Sequence, residues 1–285
     1  MYIPTNFLGA QQKRYIATGG AETTFTSGSI VYKSHTFNGN GTFEITQQAT
    51  SDNILLLVIA GGGSGGRGET ITGGGGPFDT GGGGGGAGGT RMWNDITSSV
   101  GSYSIVVGAG GAQVSGGTTV GNDGNGSSAL GKSTTGGGGG GGEYGGGGRD
   151  GGSGGGTNGG TNGFAQPGDG VTLEGFSGGY GCQNNTYCPS CEWTGGGGGG
   201  AGSSGESSSP TAGCGNRAGG SGASFNIRTG NTQTYAEGGV GGGSSTSAPF
   251  SEGSGGSGGA ATSYIGQAGY SGTVTITYPI KTLRP

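Results

Sequence analysis

Residues 126–133, GSSALGKS, fit the phosphate-binding pattern GxxxxGK[ST] at every position. That pattern cradles phosphates only where a strand delivers the loop to the N-terminus of a helix, and here TTGGGGGGG follows Ser133. In a chain with 86 glycines among 285 residues the pattern arises from composition alone, so SSALG is expected to be a strand that packs Ala129 and Leu130 onto a core. Cys182, Cys188, Cys191 and Cys214 form a second constellation. Cys188 and Cys191 stand in CxxC spacing, and four thiolates would complete a tetrahedral zinc site, but no second CxxC accompanies them. Disulfides are expected first, ahead of free thiols and zinc, with the pairing left open.

His35 is the single histidine, and no serine, cysteine or carboxylate pair stands in a catalytic arrangement with it. On an alternating strand it is expected to face solvent or to serve as a ladder residue. Asp123 and Asp169 lie in glycine-rich turns, but 15 acidic residues without a repeated aspartate spacing offer little charge for calcium. No catalytic residue, metal or cofactor is therefore expected, and the chain is expected not to be an enzyme. The large aromatics Trp93, Tyr144, Phe164, Tyr180, Tyr187 and Trp193 remain. Such side chains are either receptor anchors, able to stack on sugar faces, or covers over a glycine-rich interior.

Composition narrows the partners. Charged residues make up 9% of the chain and the net charge is -4, with no basic cluster to neutralise a phosphate backbone, so nucleic acid is not an expected partner. The longest apolar run, ILLLVIA at 54–60, is far shorter than the roughly 20 residues that span a bilayer, so no membrane insertion is expected. MYIPTNFLGAQQKRY lacks a basic stretch followed by an apolar core and does not read as a secretory signal; the chain is expected to be made in a cytoplasm.

The elements that would position these residues are strands. TFEIT at 42–46 and TVTITY at 273–278 alternate apolar and polar residues, which predicts half-buried strands with threonine on the wet face. SYSIVVG, through Tyr103, Ile105 and Val107, and SFNIRT, through Phe225 and Ile227, repeat the pattern. Ile54 to Ile59 is apolar throughout and predicts a central strand buried on both faces. SIVYKSHTF, NGNG and TFEIT together predict a hairpin, because Asn-Gly supplies the positive φ of tight turns. No glycine-free stretch of a dozen residues has a 3.6-residue period, so the fold is expected to be all-β without α-helices.

The glycine-rich remainder, typified by GGGGGGGEYGGGGRDGGSGGGTNGGTNG at 136–163, admits three readings: a flexible linker, a silk-like aggregate, or a packed bundle of polyglycine helices. A linker joins domains, whereas this region lies between strands of one sheet system, and an aggregate would need a period. The bundle is expected. Threefold extended helices make no internal hydrogen bonds, so each N–H and C=O must bond sideways, and without a Cβ neighbouring chains can come close enough to exchange those bonds. Runs at 73–76, 81–86, 136–142, 145–148 and 195–200 would be the struts, within insertions at about 61–100, 131–222 and 238–270.

The succession YKSHTFNGNGTFEIT, ILLLVIAGGGSGG, YSIVVGAGG, GNDGNGSSALG and GYSGTVTITY, over roughly residues 29 to 280, resembles the glycine-rich domain of tailed-bacteriophage virion proteins. It is also similar to the tumour-necrosis-factor-like, glycine-rich extracellular module of anaplastic lymphoma kinase. YIATGGAETTF looks like the lead-in of the phage members, while the cysteines and CPSCEW depart from the pattern. The resemblance implies a jelly-roll-like (TNF-like) β-sandwich with a long inserted polyglycine-II helix bundle, often in a homotrimer. It divides the chain into 1–28, expected to dock to other virion proteins, and a glycine-rich domain at 29–285. The expected role is a non-enzymatic tail-fibre or adhesin component on the virion, assembled in the host cytoplasm and facing a host surface glycan or protein. A capsid decoration or head fibre, and a secreted cellular surface or matrix protein, are the alternatives.

Overall fold

The computed structural model describes residues 12–72, 77–115, 120–142, 146–160, 165–182, 193–207, 217–242, 251–258 and 265–283. These contain no helix and fourteen strands: β1 (Ile16–Thr18), β2 (Ala21–Ser27), β3 (Ile30–Phe37), β4 (Gly41–Gln47), β5 (Ile54–Ile59), β6 (Glu69–Thr72), β7 (Pro77–Thr80), β8 (Thr90–Ile96), β9 (Gly101–Ile105), β10 (Ser127–Ala129), β11 (Lys132–Thr134), β12 (Ala223–Phe225), β13 (Gln233–Tyr235) and β14 (Thr273–Thr282). A five-stranded sheet in the order β2-β3-β14-β5-β8 and a three-stranded sheet in the order β1-β4-β9 form a β-sandwich, with every pairing antiparallel. Its core joins Phe43 and Ile45 of β4 and Ile105 of β9 to Leu56 and Val58 of β5 and Val274, Ile276 and Tyr278 of β14. Each such side chain taken out of water stabilises the fold by about 1.5–3 kcal/mol.

β3 and β4 are not a hairpin but belong to different sheets. The segment between them is a corner: Asn38 Oδ1 accepts from Thr273 Oγ1 at 2.8 Å and Asn40 Oδ1 accepts from the Val107 amide at 2.8 Å. Asparagine suits such a corner for the same reason it suits a tight turn, since its side chain replaces missing backbone partners. The hairpin formed by β3 is with β2, through Gly28 at φ 59°. The central strand is β14 rather than β5.

The threonines of β14 are also not on a wet face. Thr273, Thr275 and Thr277 are fully buried, and Thr273 and Thr277 donate to the carbonyls of Phe37 and Ile227 at 3.1 and 2.7 Å. The outer face of the five-stranded sheet is covered by a second core of Leu57, Ile59, Ala87, Ile227, Tyr235 and Ala236, so alternation along β14 marks two interiors of different polarity. The segment set apart as 1–28 supplies β1 and β2 to the two sheets, and the insertion expected at 61–100 ends before β8, which is a strand of the main sheet.

The glycine region is ordered by a repeat of three. Gly61 and Ser64 donate to the carbonyls of Asn125 and Asn122, Gly62 and Gly65 to those of Tyr270 and Gln267, and Gly63 and Gly66 to those of Gly86 and Gly83. Every third amide returns to the same neighbour, as a threefold helix requires. The carbonyls of Gly61 and Ser64 accept from Gly137 and Gly140, that of Gly62 from Gly111 and that of Gly63 from Gly256, which brings the neighbours of this strut to six. The strut at 81–89 follows the same rule: Gly83, Gly86 and Gly89 donate to Gly141, Gly138 and Thr135, and Gly81, Gly84 and Ala87 to Trp193, Gly196 and Gly199. A methyl group on Gly85 would overlap the Gly63 carbonyl, so the spacing admits no side chain there. Runs 136–142 and 195–200 are struts of this bundle; 73–76 lies outside the described residues.

Candidate recognition surface

The phosphate-loop lookalike is a β-hairpin. β10 pairs with β11 from Ser127↔Thr134 to Ala129↔Lys132, and Leu130 and Gly131 turn the chain at φ 50° and 76°, the two positive values of a type I′ turn. Ala129 is buried and Leu130 packs beside it on the sandwich core.

His35 is buried, not solvent-facing, and corrects that part of the expectation. Its Nδ1 lies 2.7 Å from the Gly19 carbonyl and its Nε2 2.9 Å from Tyr278 Oη. The carbonyl can only accept, so Nδ1 carries the hydrogen and Nε2 accepts from the tyrosine. The ring stacks on Tyr278 at 5.6 Å and meets Phe43 edge-on at 5.1 Å. Burial holds the imidazole below its ordinary pKa, against the opposite pull of the Gly19 carbonyl and of Glu22, whose Oε1 is 3.7 Å away. Burial likewise raises the Tyr278 phenol. The pair fastens the β1–β2 corner to the core.

Of the aromatic candidates, Trp93 lies on β8 opposite Leu56, half-buried against the sandwich core, with the Arg91 guanidinium 5.1 Å from its ring centre. Trp193 is 5% exposed and bridges to Thr80, so it closes the bundle instead of facing solvent. Tyr180 is exposed, and its hydroxyl donates to Gln166 Oε1 at 2.5 Å. Tyr144, Phe164 and Tyr187 lie outside the described residues, as do Cys188, Cys191 and Cys214. Cys182 is disulfide-bonded, at the end of the 176–182 strut. Among the described residues no group of three or more His, Cys, Asp or Glu is arranged to hold a metal ion.

The structure brings forward a group that the sequence did not single out. Val171, Leu173 and Phe176 are exposed apolar side chains within one turn, and Leu173 is 73% exposed. The amides of Glu174 and Gly175 donate back to the Val171 carbonyl at 3.0 and 3.1 Å, which closes the turn. Glu174 anchors it: its carboxylate accepts from the Thr135 amide at 2.8 Å, and its carbonyl accepts from the Thr90 amide at 3.0 Å. Phe176 donates to Gly200 and accepts from Gly154, so the strut at 176–182 begins inside the bundle's bonding pattern.

Leu173 has φ 70°, a left-handed conformation that costs a non-glycine residue about 1–2 kcal/mol. Two other described non-glycine residues share that geometry, Leu130 and Ala236. Leu130 packs against the sandwich core and Ala236 is fully buried, so burial offsets their strain. Among the described residues nothing gives Leu173 such a return, and its side chain is exposed. Its signal in the sequence is faint: in VTLEGF the apolar and polar residues alternate over only four positions before Gly175, too few to mark an element.

A family model described as a glycine-rich domain matches residues 36–279. No curated protein matches the chain. The matched span runs from β3 to β14 and so encloses the whole bundle between the two strands that pair at the centre of the main sheet. By its sequence over that span, the chain belongs to the glycine-rich domain family.

Proposed function

We propose that this protein is a non-enzymatic structural component of a bacteriophage virion, of the tail-fibre or adhesin kind, whose glycine bundle holds the 171–176 turn against a host surface. The observation that carries the reading is Leu173, held in a left-handed conformation with its side chain in solvent. Strain kept at an anchored, exposed position is a mark of a site that acts on something outside the fold. Val171 and Phe176 widen the same apolar surface, which suits a protein pocket better than a sugar face.

The test is binding of the purified full chain to intact host cells, with Leu173→Asp and Phe176→Ser combined. Both side chains are exposed, so the variant is expected to keep its unfolding temperature and lose most of its binding. Undiminished binding would remove the turn from host recognition and leave a purely structural decoration as the better reading.

A further inference from the structure

The sandwich has four sheet edges, and three are blunted. β1 is three residues long and its register breaks between Ile16 and Ala17. β9 is continued by the bridge between Val106 and Ser128, with reciprocal amide bonds of 2.9 and 2.8 Å. β8 has a register shift where it passes Ile54 and Leu56, and carries Arg91 and Asp95. Short length, bulges and charge are the usual means by which an edge strand avoids pairing with another chain. β2 is neither short nor bulged. It runs seven residues, AETTFTS, in unbroken register with β3, and all but Phe25 are exposed. Its one charge, Glu22, is matched by Lys33 of β3 at 2.8 Å.

We infer that β2 is the site at which a second copy of this chain adds its own β2, antiparallel about a twofold axis through Thr24. The sequence of β2 is self-complementary in that register. Thr24 faces Thr24 of the second copy, Thr23 faces Phe25, and Glu22 faces Thr26, so like charges do not meet. Phe25 already stacks on Tyr32 at 5.5 Å and 18°. In the twofold register the two Phe25 rings become diagonal neighbours on one face, within reach of each other at roughly 7–8 Å between backbones. The stack then runs across the interface as Tyr32, Phe25, Phe25 and Tyr32. Backbone bonds along the edge supply the attraction and the residue pairs fix the register. The inference is independent of the proposed host-facing role, since β2 lies on the sandwich and the 171–176 turn on the bundle.

Sedimentation equilibrium of the full chain over a range of concentrations tests it, with Thr26→Lys and Thr26→Glu. Position 26 faces Glu22 twice in the dimer, so lysine adds two opposite-charge pairs and glutamate two like-charge pairs. Association of the wild type into dimers is expected, strengthened roughly 2- to 30-fold by lysine and weakened by a similar factor by glutamate. Thr26 is exposed, so the unfolding temperature of the dilute protein is expected to be unchanged in both. A monomer at every concentration, a trimer indifferent to both substitutions, or shifts of the same sign in both would overturn the inference.

Discussion

At the scale of a residue, His35 shows what a side chain's neighbours do that its own sequence context cannot announce. That it lies on a strand was legible, but β3 is buried on both faces from Ser34 to Phe37, and the bonding partner Tyr278 is 243 positions away in the chain, so nothing local marks the ring as interior. Because burial lowers its pKa in the folded state, the fold binds fewer protons than the unfolded chain once the pH falls below about 6.5. The stability that His35 confers is therefore complete above that value and is lost as the pH drops toward the lower folded-state pKa. The charged groups that face it are Glu22 on β2 and Lys33 on β3. Glu22, which its bond to Lys33 holds below the ordinary carboxylate value, acts in a separate and more acidic window. The urea midpoint is therefore expected to fall between about pH 7 and pH 5, and His35→Gln is expected to flatten that slope. The same variant is expected to cost about 1–3 kcal/mol at pH 8, because the glutamine cannot keep both ring bonds. An undiminished slope in His35→Gln would assign the acid sensitivity to other groups.

At the scale of an element, the struts were legible and the corner was not. A run of glycine long enough to be a threefold helix is its own signal, and the amides of Gly61, Gly62 and Gly63 go to three different neighbours as that helix demands. By contrast, NGNG has the same chemistry whether it closes a hairpin or carries the chain between sheets. Only the distant partners of Asn38 and Asn40 decide which. The turn at 171–176 was illegible for another reason: what distinguishes Leu173 is a backbone angle and an absence of cover, and neither is written in residue types. Gly85→Ala would drive a methyl into the backbone of Gly63, which cannot swing aside as a side chain can, and is expected to cost about 3 kcal/mol or more. Gly39→Ala, in the corner, meets nothing within 4 Å and has no positive φ, and is expected to be neutral or slightly stabilising. Thermal unfolding of the two variants compares them directly; equal effects would mean that the struts yield to accommodate a side chain.

At the scale of the whole molecule, the bundle and the sandwich are held together by the order of the chain. β14, the central strand of the main sheet, comes after every strut, and it pairs with β3 and β5, which come before them. The sheet cannot close until the glycine region has gone out and returned. Conversely, hydrogen bonds worth about 1 kcal/mol each do not by themselves offset the roughly 1–2 kcal/mol needed to order each backbone unit, so the struts do not stand without that closure. The second core, where Ala87 of one strut meets Leu57 and Ile59 of β5, ties the two parts through side chains as well. The bundle and the sandwich are therefore expected to open as one unit. In native amide exchange, Gly83, Gly86 and Gly138 are expected to reach the same limiting free energy as the amides of Leu56 and Ile276, with the same dependence on added denaturant. A chain ending before Thr273 is expected to lose protection in the struts and the strands alike. Strut amides that exchange far faster than those of β5 and β14 in the intact chain would instead mean that the bundle melts on its own and that the sandwich merely borders it.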